Sequence, residues 1–317
     1  MKRKKSLLEW RDGLHILGTP LWCDARHTRE VCFLSSARVP GARRHRQVLA
    51  SSTTLALLPD ATRRAPQSTL AVPFGRKFTL GTLRLELVPS GFMPGAASLT
   101  VEVGGARLLY AGVVNPKGTG LGGAPEARPA DVLVVDASFA GARYSFPPAG
   151  EMLAEAKAWA ETVAAGGGIP VLLAEPLGAA LELLKILAVP VVAHRAIVAA
   201  AKKLTAAGIA LPAPKRHAGT PAAGSAVLWP VSARDTLPPL RRARVALVDP
   251  RAQDAAFAAA FAAPLDASFP FSDHPDAETL AAYIAQTGAG EVHVTNASAE
   301  TAKALGAEPL GQLGLFW

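Results

Sequence analysis

Residues 269–285 read FPFSDHPDAETLAAYIA and join an apolar, strand-like run to an amphipathic segment. The run leads into Asp273 and His274, and Asp276 then stands where a helix would begin. Aspartate favours the residue before the first helical turn and glycine the residue after the last, so Gly288 marks the predicted helix end. An acid beside a histidine in the loop between a strand and a helix makes this stretch the leading candidate for a functional site.

The sequence before this stretch changes its pattern at residue 151. From there to residue 248, helical segments such as EMLAEAKAWAETVAAGG alternate with short apolar runs such as IPVLLAEP. Glycine or proline separates most of them. This alternation predicts a parallel sheet with crossover helices. After the stretch, EVHVTNAS predicts a last strand and AETAKALG a short helix.

The front half of the chain is rich in predicted strands. In SLTVEVGGARLLYAG, Gly104 and Gly105 predict a tight hairpin between two strands. DVLVVDAS is an almost wholly apolar run that ends at Asp136, which is typical of a strand buried on both faces. Together, the two halves predict an α/β protein.

Composition narrows the class of protein. Of 317 residues, 50% are hydrophobic and 18% charged, which predicts a globular chain. It contains no apolar run of the roughly 18 residues that a membrane span needs, and acidic residues interrupt the basic N-terminus, so a cytoplasmic location is expected. Cys23 and Cys32 could face each other across a hairpin, but reduced thiols are the favoured interpretation.

The net charge of +8 favours polyanionic partners. Basic residues cluster at positions 2–5, 43–46, 63–64, 202–203, 215–217 and 241–244. Scattered, solvated basic patches explain these clusters as well as a nucleic-acid surface does.

Taken in order, the segments resemble the metallo-β-lactamase fold with a β-CASP insert. GLHILGTPLWCDAR is similar to the family's opening strands, VPSGFMPGAASLTVEVGGARLLYAG to its central strands, and VLVVDASFAGARYSFPP to the strand with the first β-CASP acid. LGAALELL and VVAHRAIVAAAKKLTAAGI resemble the insert, and FSDHPDAETL and VHVTNA resemble the return motifs.

The resemblance covers nearly the whole chain. Within the family, the chain is most similar to bacterial RNA-processing exonuclease-like proteins and to ligase-associated DNA exonucleases. It implies an αββα sandwich with an inserted α/β domain. Residues 1–150 would form the first part of the lactamase-like domain, 151–245 the β-CASP-like insert, and 246–317 the return to the first domain.

In this family, two zinc ions held by imidazoles and carboxylates polarise a phosphodiester and generate a hydroxide nucleophile. The matching positions carry other residues here: Ser36, Arg38, Pro40 and Gly41 after the strand VCFLS, Phe92 in VPSGF, Val113 after YAG, and Asn296 in VTNAS. Because every ligand position differs while the flanking strands remain, the resemblance implies a vacated metal site and no metal cofactor.

Two other motif positions keep the family's residue type. Asp136 matches the acid of the first β-CASP motif, and His274, next to Asp273, matches the histidine of the second, which helps to handle the leaving-group proton in active relatives. An Asp at a strand end can also cap backbone N–H groups, and a loop histidine can hydrogen-bond that acid. Without a metal the pair generates no nucleophile, so retention for structure is the favoured interpretation.

The remaining serines and histidines give weaker signals. The serines near the presumed cleft lie outside any G-x-S-x-G elbow: Ser36, Ser90, Ser138 and Ser272. Five histidines lack the spacing of a zinc site: His27, His45, His194, His217 and His293. His194 stands beside Arg195 after an insert strand, which leaves a phosphate contact open.

Two hypotheses fit these residues. The first is a catalytically degenerate protein of nucleic-acid metabolism that binds single-stranded RNA or DNA, or supports an active β-CASP relative as an inactive partner. Its candidate strand contacts are Arg43, Arg44 and Arg46 just beyond the vacated loop, with Lys202 and Lys203 on an insert helix. The second is an active metal-dependent hydrolase or exonuclease that acts on RNA or DNA, either through ligands at positions other than those matched above or through a rearranged site around Asp136, Asp273 and His274.

Overall fold

The computed structural model describes residues 7–39, 45–58, 68–261 and 265–311. It contains both strands and helices, and the strands form three sheets, which confirms the α/β class. The described residues divide into two compact units. Unit 1 takes its residues from 1–118, 122–144 and 274–316, and unit 2 from 119–121 and 145–273. The assignment of a lactamase-like domain and of an insert at 151–245 stays a prediction.

The strands and helices are numbered in chain order. The strands are β1 (Leu8–Trp10), β2 (Leu14–Ile16), β3 (Leu21–Cys23), β4 (Val31–Phe33), β5 (Gln47–Ala50), β6 (Ser68–Ala71), β7 (Lys77–Leu80), β8 (Leu83–Pro89), β9 (Ala97–Val103), β10 (Ala106–Gly112), β11 (Val132–Asp136), β12 (Ile169–Leu173), β13 (Val191–Ala193), β14 (Lys215–Arg216), β15 (Ala226–Trp229), β16 (Ala243–Val248), β17 (Ala267–Phe269), β18 (Glu291–Thr295) and β19 (Glu308–Gly311). The α-helices are α1 (Ser52–Leu57), α2 (Ala149–Ala165), α3 (Ala179–Ile186), α4 (Arg195–Ala206), α5 (Ala255–Ala259), α6 (Ala277–Thr287) and α7 (Ala299–Ala304), and 3₁₀ turns span Val231–Thr236 and Pro250–Gln253.

Unit 1 contains two sheets. The first has the order β1-β2-β3-β4-β5-β6, and the second has the order β19-β18-β11-β10-β9-β8-β7. In the second sheet, Val103 pairs with Ala106 across a two-residue turn, so the predicted hairpin at Gly104 and Gly105 is confirmed. Both glycines have positive φ, of 59° and 80°, which this type of turn requires.

The second sheet of unit 1 is buried on both faces at its middle strands, and the alternation of side chains along β10 shows how. Leu108 and Tyr110 belong to a core shared with the first sheet, and the Tyr110 ring meets the Phe33 ring edge to face at 6.3 Å. Leu109 and Ala111 belong to a second core shared with α6 and α7. Neighbouring strand residues point to opposite faces, so an apolar strand can serve two cores. The predicted doubly buried strand, β11, is buried along its whole length.

Helix α6 confirms the interpretation of the stretch at 269–285. The Asp276 carboxylate accepts a hydrogen bond from the Thr279 N–H at 3.0 Å, and Gly288 ends the helix with a φ of 63°. Strand β17 ends at Phe269, so Asp273 and His274 lie in the connection between this strand and the helix.

Unit 2 contains the third sheet, in the order β14-β13-β15-β12-β16-β17, and every pairing in it is parallel. This confirms the parallel sheet predicted from the alternating segments. Its core includes Val171, Val227, Trp229 and Leu247. Within the described ranges, no helix is both long enough and apolar enough to cross a membrane.

Candidate functional site

The candidate site of unit 1 lies where neighbouring strands end. Asp136 is the last residue of β11 and pairs in register with Thr295 of the parallel strand β18, so Asn296 follows directly beside it. Asp24 follows β3, and the Tyr110 hydroxyl of β10 donates a hydrogen bond to its carboxylate at 2.9 Å. These contacts bring chain segments that are far apart in sequence to one place.

Asp136 is buried and doubly hydrogen-bonded. Its Oδ1 accepts from the Ser138 N–H at 3.0 Å, and its Oδ2 accepts from the Asn296 amide at 2.5 Å. The first bond is the strand-end cap expected from the sequence. The second bond comes from Asn296, which the sequence analysis did not pair with this acid. Asn296 has a φ of 59°, a left-handed conformation that asparagine tolerates better than most residues.

His274 is buried between two aromatic rings. Its imidazole meets the Phe92 ring at 4.9 Å and the Phe139 ring at 5.0 Å, both edge to face. On Phe92, the Arg38 guanidinium lies 4.9 Å from the ring centre. Phe92 therefore stands between a cation and an imidazole, and it packs as an aromatic core residue.

The aromatic contacts continue beyond Phe139. Its ring meets that of Tyr144 at 4.9 Å, and the Arg143 guanidinium lies 4.8 Å from the Tyr144 ring centre. Edge-to-face ring pairs and cation–π contacts stabilise a fold by about 0.5–1.5 kcal/mol each. His274 thus packs within an aromatic cluster, and its structural role stays a prediction.

Asp24 is a buried acid that the sequence analysis did not single out. Its carboxylate accepts from the Ser35 N–H at 2.7 Å and from the Ser35 hydroxyl at 2.5 Å, in addition to the bond from Tyr110. Burial raises the pKa of Asp24 from 3.8 to about 6, although the three hydrogen bonds act in the opposite direction. The charge of Asp136 adds a smaller upward shift to the pKa of Asp24. The available signal was the acid directly after a short apolar strand in LWCDAR.

The two cysteines lie near this acid. Cys23 and Cys32 are both buried and free, which confirms the favoured interpretation as reduced thiols. Burial raises the pKa of both thiols well above the usual range, so neither is poised as a nucleophile.

The described residues at the family's ligand positions do not fit two zinc ions. Ser36 is buried, its hydroxyl oxygen accepts a long hydrogen bond from the Arg38 N–H, and Val113 offers no donor atom. Phe92 and Asn296 are committed to the contacts above, and Pro40 and Gly41 lie outside the described residues. In the described part of the chain, no group of three or more His, Cys, Asp or Glu side chains is arranged to hold a metal ion.

The predicted strand-binding residues fall in different parts of the molecule. Arg43 and Arg44 lie outside the described residues. Arg46 is exposed in unit 1, and its guanidinium lies 3.3 Å from the Glu30 carboxylate. Lys202 is exposed and Lys203 half-buried on α4 of unit 2. Their role in binding stays a prediction.

Comparison with known proteins gives one curated relative and a structural neighbour. No protein-family model matches the chain. A "Probable DNA ligase" from Opitutus terrae is 28% identical over 286 residues, which cover 87% of this chain. The matched region is 28% of that protein, so the chain spans less than a third of its relative's length.

The structural neighbour is a crystal structure of a protein of unknown function from Enterococcus faecalis V583. It superposes with a TM-score of 0.58 at 14% sequence identity, over 91% of this chain and 79% of the other. At this identity the likeness concerns the fold alone. A similar arrangement of strands and helices therefore occurs in a solved structure.

Proposed function

We propose that this chain is a catalytically degenerate protein of nucleic-acid metabolism with a metallo-β-lactamase-like and β-CASP-like fold. The observation that carries the proposal is the packing at the family's ligand positions. Phe92 is wedged between His274 and Arg38, and the Asn296 amide holds Asp136. Side chains packed in this way supply neither the imidazole and carboxylate ligands nor the open coordination position of a catalytic zinc site.

The link to nucleic acid is supported from two directions. The relative from Opitutus terrae is named as a DNA ligase, and the present chain matches part of it along most of its own length. The net charge of +8 would also favour a polyanion, because neutralising phosphates releases their counterions. We propose that the chain binds single-stranded RNA or DNA. Alternatively, within the same role, it would support an active β-CASP relative as an inactive partner.

A working hydrolase is the alternative function. Asp24, with its pKa raised to about 6, and Asp136 are buried acids of the kind that acid–base catalysis uses. Both carboxylates are already held by hydrogen bonds from the protein itself, which favours a structural use. Chelator-sensitive cleavage of RNA or DNA by the purified chain would favour this alternative over the degenerate protein.

Single-strand binding should be measurable at low salt and should weaken log-linearly as salt rises. Each neutralised phosphate of a single strand contributes about −0.7 to the slope of log K against log salt. Reversing the charge of Arg43, Arg44 and Arg46 to glutamate should therefore flatten the slope by about 2 if each contacts one phosphate. Fluorescence anisotropy with labelled RNA and DNA oligonucleotides would measure it.

The matched control reverses three charges in the N-terminal tail, Lys2, Lys4 and Lys5, which lie outside the described residues. This control changes the net charge equally, and we expect a smaller effect on the slope. No binding at low ionic strength, combined with co-purification of an active β-CASP relative, would leave the partner role as the better account.

A further inference from the structure

Three adjacent strands of unit 2 present aromatic and basic side chains at their carboxyl ends. In the order β14-β13-β15, His217 follows the first strand, His194 follows the second, and Trp229 ends the third. The His194 N–H donates to the Leu228 carbonyl at 3.0 Å, and the His217 N–H donates to the Ala193 carbonyl at 2.9 Å. The backbone ladder thus places the three rings side by side at the sheet edge where open α/β folds bind ligands.

Both imidazoles pack edge to face against the indole of Trp229. The His194 ring lies 4.7 Å from it at 67°, and the His217 ring lies 5.4 Å from it at 87°. Trp229 is itself held, because its Nε1–H donates to the Ala233 carbonyl at 3.0 Å. The two histidines therefore pack against one buried indole that is itself hydrogen-bonded.

Hydrogen bonding sets which imidazole nitrogens are donors. His194 caps α4, and its Nδ1 accepts from the Ala196 N–H at 3.2 Å. Because Nδ1 is the acceptor, the proton of the neutral ring is on Nε2, which becomes a donor. The Nε2 of His217 is buried and has no hydrogen-bond partner in the described part of the chain. A buried polar nitrogen without a partner is costly, so a ligand atom at this point would stabilise the protein.

Two arginines next to these histidines lack counter-charges. Arg195 and Arg216 are exposed, and neither guanidinium forms a salt bridge or a side-chain hydrogen bond among the described residues. Ala193 of β13 pairs with Arg216 of β14, and Arg195 begins α4 two residues later, so both arginines stand at this end of the strands. Burial lowers the pKa of His194, and the charges of Arg195 and Arg216 lower it further. Two acids follow the neighbouring strands β12 and β16, and both already have partners. Glu175 accepts hydrogen bonds from Ser232, and Asp249 forms an ion pair with Arg251.

We propose that His194, Arg195, Arg216 and His217 bind a phosphate group at the carboxyl edge of the unit 2 sheet. The two guanidinium groups would supply charge-assisted hydrogen bonds, and the two imidazoles would supply further donors. Helix α4 begins at the same place, and the positive end of its dipole favours an anion there. That the phosphate belongs to a nucleic-acid strand rests on the function proposed above, whereas a site for free phosphate does not.

Titration with inorganic phosphate at constant ionic strength tests the site. We expect saturable shifts of the His194 and His217 ring signals in NMR spectra, with His194→Gln and His217→Gln used only to assign them. Joint replacement of Arg195 and Arg216 by glutamine should weaken phosphate binding about tenfold or more, because charge-assisted bonds to phosphate are lost.

Arg241 gives a single-charge control on the same sheet. It is exposed and precedes β16, so it lies toward the amino end of the parallel strands, at the opposite edge from the proposed site. Arg241→Gln removes one charge and should change phosphate affinity less than twofold, roughly the effect of a distant screened charge. Absence of saturable shifts, or equal weakening by the control, would overturn the proposed site.

A 5′-phosphorylated single-stranded oligonucleotide separates the sources of phosphate. If the oligonucleotide displaces inorganic phosphate, as seen from a change in the phosphate-induced shifts of the histidine signals, the site would be assigned to a strand. Phosphate binding without displacement would keep the site for free phosphate or small phosphate esters and count against its role in strand binding. Oligonucleotide binding that persists while both histidine signals stay unmoved would overturn this inference and leave the proposed function standing.

Discussion

Replacement of Gly91 by alanine should lower the free energy of unfolding by about 3 kcal/mol or more. Gly91 has a φ of 75°, and a Cβ atom there would lie 2.5 Å from the Asn115 carbonyl oxygen and 2.9 Å from the Pro125 ring. The left-handed backbone and the clash both add to the cost. The glycine precedes Phe92, so this close packing positions the side chain that fills a predicted zinc-ligand position.

Gly81→Ala is the control for backbone strain alone. Gly81 has a φ of 59°, and nothing lies within 4 Å of the position that a Cβ atom would take. Its replacement should cost about 1–2 kcal/mol, the penalty of the left-handed conformation without a clash. Urea unfolding of both variants measures the difference. Equal losses for Gly91→Ala and Gly81→Ala would contradict the tight packing of the Phe92 loop.

The pH dependence of stability should change by about 3 kcal/mol when Asp24 is replaced by asparagine. Burial raises the pKa of Asp24 from 3.8 in the unfolded chain to about 6, so the folded state holds the proton more tightly. The stabilising contribution is fully present below pH 3.8, where both states are protonated. It is lost as the pH rises to about 6, because the unfolded chain ionises first.

Urea unfolding from pH 4 to pH 7 would follow this contribution. The wild-type protein should become less stable relative to Asp24→Asn as the pH rises. At pH 4, the difference in unfolding free energy between the two proteins reports the cost of replacing the carboxyl group by an amide. Asparagine keeps the shape and can still accept from the Ser35 N–H, so the variant should fold. A constant difference between wild type and variant across this range would contradict the raised pKa.

Much of the architecture could be predicted because its signals are local. The two-residue glycine turn, the apolar run of β11 and the caps of α6 each depend on a few neighbouring residues. The alternation of helices and strands likewise indicated the parallel sheet of unit 2 before any contact was known. These features follow from periodicity and turn chemistry alone.

The site contacts were harder to predict because they join distant segments. Asn296 and Asp136 are 160 positions apart, and the Asp24 network needs Tyr110, 86 positions away. The sequence marked Phe92 and Asn296 as replaced ligand positions and His274 as a retained motif residue, but it did not indicate which side chains they contact. Only the folded arrangement pairs Asn296 with Asp136 and places His274 between two phenyl rings.

The same limit applies to the basic residues of unit 2. Charge clusters at 202–203 and 215–217 are visible in the sequence, yet they do not distinguish a solvated surface from a binding site. The ring contacts of His194 and His217 with Trp229 support the proposed phosphate site, because they hold two imidazoles near Arg195 and Arg216, which have no salt bridge among the described residues. Parallel strand order brings together His194 and Trp229, which are 35 positions apart in the sequence.

The central claim is that the family's dinuclear metal site has been replaced by packed side chains, and metal analysis tests it most directly. The full-length protein, purified after expression with supplemented zinc, would be analysed by mass spectrometry and assayed for nuclease activity with and without chelator. Because Phe92, Val113 and Asn296 occupy ligand positions, we expect no stoichiometric zinc and no chelator-sensitive cleavage. About two tightly held zinc ions per chain, the content of a working dinuclear site, would contradict the account.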